Sequence, residues 1–322
     1  MNVMEQVLKK KIDPFLTIEN LSLIGSRASG REIRAKSAGI LSGGCWNRVI
    51  EVSFENDEPD LVYKINPNRG DERLIREYSV LDYFQRNTEM PVPTPYLLDS
   101  SGEIIPGSTL VMQKIPGRVM HHIIGMLNRK AQEAITEQIA HYVVELHKTR
   151  STGFGGVELP EQKRAENWAE FWLPRFDNVY QDISGKKLVS DQFLEAVARV
   201  RKHFPRMLDI GRESTLTNYD IWSGNVIIDF KQDKPYISGF IDIPGFWADY
   251  ARELSFMEMF GVADRKLYRI YFTDYDRDPG FNLRKNIYNL KMHMKHITMY
   301  PNEYYYRQGA ETCLHVIRQN ST

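Results

Sequence analysis

Cysteine is scarce in this chain, and long hydrophobic stretches are missing. The two cysteines among 322 residues, Cys45 and Cys313, provide no disulfide framework. No uninterrupted run approaches the roughly 20 apolar residues that a membrane-spanning helix needs. The N-terminus carries three lysines at positions 9–11 after a brief apolar patch, without the apolar core or cleavage pattern of a signal peptide. We therefore expect a cytoplasmic protein that does not bind a membrane.

An excess of charge of either sign is also missing. The chain has 42 Lys and Arg residues against 42 Asp and Glu residues, a formal net charge of +0. Because nucleic acid and anionic membranes attract basic surfaces, we expect neither as a partner. No internal repeat is visible, which argues against a solenoid. The length and the 42% hydrophobic content are sufficient for two lobes around a cleft.

The most informative residues follow one another in the second half of the chain. Asp220 and Asn225 lie five positions apart, and Asp242 ends a later apolar strand. In phosphoryl transfer a carboxylate orients the acceptor hydroxyl and accepts its proton, while oxygen ligands hold magnesium. We assign the first task to Asp220 and the second to Asn225 and Asp242. The alternative is an Asx-rich turn in which Asp220 and Asn225 only satisfy backbone donors.

Upstream, a glycine turn and a strand lysine are candidate phosphate ligands. Gly43 and Gly44 interrupt an apolar stretch before a strand-like run, so their backbone N–H groups could cover phosphates; ordinary hairpins also use paired glycines. Lys64 lies in the middle of the short strand-like run 61–65. A buried ammonium is costly unless it is paired, so Lys64 requires an anion. The alternative is a solvated lysine at a sheet edge.

A helix with a suitable acid follows the lysine. Apolar residues recur at helical spacing over 74–84, and Glu77 on this helix could pair with Lys64 and direct it toward the α and β phosphates. Glu72 is the competing acid, and a solvated helix face is the alternative. The next strand leaves this lobe at Met112, and backbone groups around Gln113 and Lys114 are candidates for hydrogen bonds to adenine. Any buried strand end would look similar.

These motifs together resemble the aminoglycoside phosphotransferase-like small-molecule kinases, and within them the fructosamine (ketosamine) kinases. The shared pattern comprises residues 43–47, Lys64, 76–81, 91–93, 220–225 and 241–242. The narrower resemblance lies in residues 222–225, 253–261 and 279–290, and in Trp168, Phe171 and Arg175. The shared pattern adds Asn47 to the candidate nucleotide ligands. Trp222, between the predicted base and metal ligand, is the candidate acceptor contact, with packing of the loop as its alternative.

The resemblance implies an α+β, bilobal protein-kinase-like fold. We expect an N-terminal extension over residues 1–34, a strand-rich nucleotide-binding lobe over 35–112, and a helical catalytic and substrate-binding lobe over 113–322. The implied reaction moves the γ-phosphate of ATP, with Mg2+, to a hydroxyl of a small molecule such as a ketosamine or another sugar amine. Alternatives are an aminoglycoside-type kinase, a protein kinase, or a non-catalytic nucleotide-binding module. Against the protein kinase, the segment after Asp242 lacks an Ala-Pro-Glu motif.

The chain departs from the family pattern at the catalytic loop. Asn218 and Tyr219 precede Asp220 where the family usually has His-Gly. Either Asn218 braces the loop by hydrogen bonding, or the loop assembles more slowly. Asp249 is expected to take the structural role of the family's second aspartate.

Three further features remain open at this stage. Cys45 beside the glycine turn is a candidate redox switch that would make the protein a monomer or a redox-linked homodimer, with a buried packing role as the alternative. His293 and His296 lack a third ligand at a recognisable spacing, which argues against zinc. The acidic, aromatic stretch 264–278 could face a cationic or polyhydroxylated acceptor or be a solvated loop.

Overall fold

The computed structural model describes residues 9–41 and 47–320. It divides into two compact units. The first ends at Arg118 and also contains Ile227–Asp229 and Ser238–Ile243; the second contains Val119–Val226, Phe230–Ile237 and Pro244 onward. The expected bounds of the extension (1–34) and of the two lobes (35–112 and 113–322) stay predictions; in the structure, two later segments, one of them carrying Asp242, belong to the first unit. The helices and strands confirm the predicted α+β class.

Strands form three sheets within the described residues. They are β1 (Ala35–Ile40), β2 (Arg48–Phe54), β3 (Leu61–Asn66), β4 (Pro95–Asp99), β5 (Ser108–Gln113), β6 (Arg118–Val119), β7 (Arg150–Thr152), β8 (Gly155–Gly156), β9 (Glu213–Thr217), β10 (Val226–Lys231), β11 (Lys234–Phe240) and β12 (Phe246–Ala248). The first unit has an antiparallel sheet in the order β1-β2-β3-β5-β4. The second has a sheet in the order β7-β9-β12-β8, and the third sheet has the order β11-β10-β6.

Most of the helices belong to the second unit. The α-helices with described bounds are α1 (Ile18–Ser29), α2 (Glu72–Asn87), α3 (Met120–Ile123), α4 (Arg129–Lys148), α5 (Trp168–Gly185), α6 (Asp191–Arg201), α7 (Phe204–Met207), α8 (Tyr250–Met259), α9 (Arg265–Asp274), α10 (Phe281–Met299) and α11 (Tyr304–Gln319). Short 3-10 turns cover Asp13–Phe15, Ile124–Met126 and Glu161–Lys163. No described helix is long and apolar enough to span a membrane.

The N-terminal segment contributes to the core of the first unit. Thr17 caps α1 by accepting from the Asn20 N–H at 3.2 Å, and Leu21 and Ile24 on this helix are buried against the sheet. The Tyr63 hydroxyl donates to the Leu21 carbonyl at 2.9 Å, so a central-strand side chain satisfies its polar group on the helix. The stretch expected as an N-terminal extension therefore packs into the core of the first unit.

Helix α2 begins where an aspartate caps it. Asp71 accepts from the N–H groups of Arg73 and Leu74, and buried apolar residues on one face of α2 include Leu74 and Phe84. Because this apolar face of α2 is buried, Glu77 at its edge is half-buried.

A buried ion pair joins α8 to α10 in the second unit. Asp249 is 2% exposed and caps α8 by accepting from the Ala251 N–H at 3.0 Å. Its carboxylate also accepts from Arg284 at 2.6 Å and from the Tyr288 hydroxyl at 2.5 Å. The Trp168 indole donates to that same Tyr288 oxygen at 2.7 Å. Asp249 thus has the structural role that the sequence assigned to it.

Candidate active site

The first unit brings together three residues that the sequence assigns to the nucleotide and the metal. Lys64 lies on β3, in the middle of the sheet, and donates to Glu77 Oε1 at 2.5 Å and to Asp242 Oδ1. The expected Lys64–Glu77 ion pair is confirmed, whereas the competing Glu72 is exposed. We call Lys64, Glu77 and Asp242 the charged triad.

Burial differs within the charged triad. The side chains of Lys64 and Glu77 are 12% and 17% exposed, and that of Asp242 is 51% exposed. Burial disfavours the charged form of Lys64, but the two carboxylates outweigh it and raise the pKa of Lys64 above its ordinary value. Burial raises the pKa of Glu77; attraction to Lys64 opposes this shift and repulsion from Asp242 adds to it. Lys64 is therefore a permanent cation near neutral pH.

The second unit carries the predicted base and the predicted amide ligand in one loop between β9 and β10. Asn225 is 7% exposed, and its Nδ2 donates to the Asp220 carbonyl at 3.1 Å and to Asp220 Oδ2 at 2.9 Å. The Asn225 N–H donates to the Trp222 carbonyl at 2.9 Å, which closes the turn between them. The amide of Asn225 therefore orients the carboxylate of Asp220 directly.

Asn218 braces this loop, as expected from its place in the family pattern. It is 2% exposed, and its side-chain oxygen accepts from the Asp220 N–H at 3.1 Å. Its own carbonyl accepts from the Gly245 N–H at 3.1 Å. An asparagine therefore holds the backbone of the predicted catalytic residue.

Tyr219 is held in a backbone conformation that few side chains adopt. Its φ is 82°, in the left-handed region where a non-glycine residue is strained. Its N–H donates to Glu253 Oε1 at 2.7 Å, and its carbonyl accepts from Arg252. The Arg252 guanidinium also lies 3.5 Å from the centre of the Tyr219 ring. Two adjacent residues of α8 thus hold the residue that precedes Asp220.

A fully buried histidine supports Glu253. His147 on α4 and Glu253 are both 0% exposed, and the His147 Nε2–H donates to Glu253 Oε2 at 2.7 Å. With the ring proton on Nε2, the Tyr271 hydroxyl donates to His147 Nδ1 at 2.8 Å. We call Tyr271, His147, Glu253 and Tyr219 the loop relay. Because both His147 ring nitrogens, both Glu253 carboxylate oxygens and the Tyr219 N–H are paired, these groups hold the loop without a cost from unsatisfied burial.

Trp222 is half-buried in the same loop. Its ring centre lies 6.4 Å from the His121 ring and 6.4 Å from the Phe260 ring. A Cβ on Gly224 would lie 2.3 Å from Trp222 ring carbons, so any side chain there would displace the indole. Trp222 therefore packs the loop, and its contact with an acceptor stays a prediction.

The remaining predicted nucleotide ligands lie in the first unit. Gly43 and Gly44 fall outside the described residues. Asn47 accepts from the Asn66 amide at 2.9 Å. Met112 and Gln113 lie on β5, and Lys114 donates to Glu51 and Asp60 at 2.5 and 2.8 Å. The Gln113 N–H donates to the Thr94 carbonyl at 2.8 Å, so this donor is already used within the unit.

The oxygen atoms of the two predicted metal ligands suit a hard cation. Only Oδ1 of the Asp242 carboxylate bonds Lys64, which leaves Oδ2 available. The Nδ2 of Asn225 donates to Asp220, and among the residues that the structure describes its amide oxygen accepts no hydrogen bond. Carboxylate and amide oxygens are the donors that Mg2+ takes in proteins, and the donor set therefore fits this ion.

Within the described part of the chain, the histidines form no metal site and Cys313 provides no reactive thiol. Among the described residues, no group of three or more His, Cys, Asp or Glu could hold a metal ion. Burial and the neighbouring His296 lower the pKa of His293 to about 4, which marks it as a neutral packing residue. Cys313 is buried, and burial raises its pKa to about 12, so its thiol is unreactive. Cys45 lies outside the described residues.

Comparison with known proteins identifies the family. The family model for fructosamine kinase matches residues 18–319. The chain belongs to the fructosamine kinase family. Ketosamine-3-kinase of Mus musculus is 23% identical to this kinase over 284 residues, which cover 81% of this chain and 89% of that protein.

Solved structures show the same fold. A protein assigned as a fructosamine-3-kinase from Thermobifida fusca matches with a TM-score of 0.72 at 16% identity, covering 94% of this chain and 100% of that one. The GDP and kanamycin complex of the aminoglycoside phosphotransferase APH(2")-IIIa matches with a TM-score of 0.64 at 14% identity, covering 95% and 100%. This chain therefore has the protein-kinase-like fold, and family membership makes it a small-molecule kinase.

Three residues that hold the catalytic loop were not found by sequence reasoning. His147, Arg252 and Glu253 lie on helices far from the loop in sequence, and their side chains meet it only after folding. Glu253 begins the segment 253–261 that resembles the family, but a glutamate on a helix gives no sign of its partner. Part of the acidic stretch 264–278 has a structural role. Asp264 caps α9, and Asp278 binds Arg284 at 2.8 Å.

Proposed function

We propose that this kinase uses Mg2+ and ATP to phosphorylate a hydroxyl of a ketosamine or another sugar amine. The charged triad carries the proposal, because it holds a permanent cation beside an exposed carboxylate. A lysine of this kind pairs with phosphate oxygens, and an exposed aspartate suits the associated metal. The family relatives named for ketosamines and ribulosamines support the acceptor class.

The protein's own groups have separate tasks in this reaction. Lys64 neutralises charge on the α and β phosphates, and Glu77 keeps the lysine oriented. Asn225 and Asp242 would hold Mg2+, which supplies neutralisation of charge on the phosphate oxygens. These tasks concern the nucleotide and leave the acceptor to Asp220.

Asp220 acts on the acceptor hydroxyl. Its carboxylate accepts the hydroxyl proton while the hydroxyl oxygen attacks the γ-phosphorus and the bond to the ADP oxygen breaks. The hydrogen bond from Asn225 Nδ2 fixes the carboxylate, and Asn218 fixes the backbone behind it. Positioning of this kind accounts for a large part of catalysis in phosphoryl transfer, since the protein itself forms no covalent bond.

The test is turnover of the full chain with Mg2+ and ATP against a defined acceptor panel. The panel contains a fructosamine, a ribulosamine, kanamycin and a serine-containing peptide, with ADP release and the mass of the product as readouts. We expect ADP release and a single added phosphate with the fructosamine or the ribulosamine. Transfer only to kanamycin or to the peptide, or no acceptor-dependent ADP release, would contradict the proposal.

A further inference from the structure

Large apolar side chains are exposed together at one place in the second unit, around the turn between α10 and α11. In the described chain beyond Phe230, the exposed large apolar residues all lie between positions 299 and 305: Met299, Tyr300, Tyr304 and Tyr305. Tyr300 is 48% exposed and Tyr305 is 58% exposed. A single exposed apolar residue is ordinary, whereas a contiguous group of them commonly marks a binding surface.

Three tyrosines of this turn contact one another, and we call Tyr300, Tyr305 and Tyr306 the tyrosine patch. The Tyr306 ring centre lies 6.1 Å from that of Tyr300 and 5.4 Å from that of Tyr305. The rings of Tyr300 and Tyr306 are inclined by only 25° and therefore stack. Among the described residues, none of the three hydroxyl groups forms a hydrogen bond. The patch thus presents stacked rings whose polar groups have no partner within the unit.

A series of partly exposed rings connects the tyrosine patch to the catalytic loop. The Tyr306 ring centre is 4.8 Å from that of His296, which is 5.4 Å from that of Phe260. Phe260 in turn lies 6.4 Å from Trp222, in the turn that follows Asp220. None of these four rings is fully buried. The patch therefore continues the surface that begins at the predicted acceptor contact.

His296 is held as a flat ring in the middle of this series. Its Nδ1–H donates to the Met292 carbonyl at 2.8 Å, and its ring is inclined by 26° to that of Tyr306. Burial lowers the pKa of His296 below its ordinary value, so the imidazole is uncharged near neutral pH. The series from Trp222 to the tyrosine patch consequently consists of uncharged aromatic rings, which suit an apolar partner.

Packing between helices does not explain the whole patch. Helix α11 is buried through residues that follow the patch in the chain: Ala310, Cys313, Leu314 and Ile317. Tyr306 takes part in packing through its contact with His296. Tyr300 and Tyr305, however, leave about half of their surface in water and gain little stability from burial. A ligand that covered their rings would remove this apolar surface from water.

We infer that the tyrosine patch binds the amine portion of the acceptor when that portion carries an apolar ring. The inference rests on the proposed function and narrows its substrate class to ketosamines of ring-bearing amines. In the proposed reaction the hydroxyl lies at Asp220 and the sugar beside Trp222. The amine portion then extends along Phe260 and His296, and its ring stacks on the tyrosines.

The experiment compares three fructosamines that differ only in the amine portion: those of methylamine, butylamine and 4-phenylbutylamine. Their affinities are measured by calorimetry, without nucleotide, for the wild type, Tyr300→Ala, Tyr306→Leu and Tyr306→Phe. We expect the wild type to bind the phenylbutyl compound at least about 10-fold more tightly than the butyl compound, as for partial burial of a ring. Tyr300→Ala and Tyr306→Leu should reduce this ratio several-fold, and Tyr306→Phe, which keeps the ring, should retain it.

Tyr96→Ala is the matched control, because Tyr96 on β4 is 44% exposed and lies in the first unit. It should keep the wild-type ratio, and the affinity of the methyl compound should be the same in all variants. Circular dichroism verifies that each variant is folded. Equal binding of the phenylbutyl and butyl compounds by the wild type, binding of none, or an unchanged ratio in both Tyr300→Ala and Tyr306→Leu would overturn the inference.

Turnover with Mg2+ and ATP separates the two proposals. Preferential binding of the phenylbutyl compound without ADP release from any of the three would leave the tyrosine patch standing and overturn the proposed function. Equal binding of the three compounds with acceptor-dependent ADP release would do the reverse.

Discussion

The charged triad and the loop relay hold their functional residues by different physical means. In the first unit, Lys64 is shared between two acids, and Asp242 remains half-exposed. In the second, a fully buried carboxyl group holds the backbone N–H of Tyr219, and a buried histidine holds that carboxyl group in turn. One arrangement consists of ion pairs, one of which has a half-exposed partner, and the other consists of buried hydrogen bonds.

The difference matches what each set of residues must do during turnover. In the proposed function the triad exchanges partners when the nucleotide binds, and the ion pair to the half-exposed Asp242 costs less to exchange than a fully buried one. The loop that carries Asp220 must keep its position, and a buried hydrogen-bonded network is costly to break. Substitutions in the two sets should therefore change different kinetic and thermodynamic quantities.

The largest effect is expected at Asp220. Asp220→Asn keeps the shape of the side chain but cannot accept the acceptor proton, so kcat should fall about 1,000-fold. Binding of ADP, measured by calorimetry, should remain close to that of the wild type. Asp233→Asn, in the exposed turn between β10 and β11, is the control and should retain full activity. Near-wild-type turnover of Asp220→Asn would remove Asp220 from the reaction.

A smaller effect is expected within the charged triad. Lys64→Met removes the cation that pairs with phosphate, so kcat/KM for ATP should fall about 100-fold, and Glu77→Gln should cause a loss of about 10-fold by freeing the lysine. Because Glu77 acts through Lys64, the double variant should be no worse than Lys64→Met alone. Losses that multiply in the double variant would show that the two residues act independently.

The smallest change in rate, together with a loss of stability, is expected in the loop relay. Glu253→Gln places an amide N–H₂ where a carboxyl oxygen accepted, so one of the two donors from Tyr219 and His147 loses its partner. The free energy of unfolding in urea should fall by about 1–3 kcal/mol. Misplacement of Asp220 should lower kcat about 10-fold while KM for ATP stays constant.

Glu258→Gln is the matched control for this substitution. Glu258 lies on the same helix; its side chain is 38% exposed, is paired with Lys285 and accepts from the Tyr268 hydroxyl at 2.6 Å, a bond that a glutamine oxygen can also accept. The same change there should cost less than about 1 kcal/mol, as for a partly exposed ion pair, and leave kcat unchanged. Equal losses at positions 253 and 258 would show that the relay has no particular effect on the loop.

Several parts of the site could be predicted because their pattern is local or their chemistry demands a partner. A lysine inside an apolar strand requires an anion, and the next helix supplies two acids, Glu72 and Glu77. The helix phase decided between them: Glu77 turns toward the sheet, and Glu72, in the first turn, remains exposed. The choice between Glu72 and Glu77 depends on which face of the helix packs on the sheet. The sequence positions of the two acids do not reveal that face.

The family resemblance predicted more of the site than the composition did, but it did not predict which side chains contact one another. The replacement of the usual His-Gly pair by Asn218 and Tyr219 predicted a hydrogen-bonding brace, and Asn218 forms it. The strained backbone of Tyr219 and its anchoring by Arg252 and Glu253 were not foreseen. A left-handed φ at a tyrosine is disfavoured locally, and only tertiary contacts can maintain it.

The sequence by itself determined the class of fold, through the family resemblance of its motifs, and it predicted strands, helices and a loop around Asp220, Asn225 and Asp242, because periodicity and short-range loop chemistry depend on neighbouring residues. It also determined that Lys64 needs a partner. Only the tertiary structure decided which acid pairs with Lys64 and how a histidine and a glutamate on two separate helices hold the loop. These are contacts between residues distant along the chain, and packing of the elements creates them after the local structure is set.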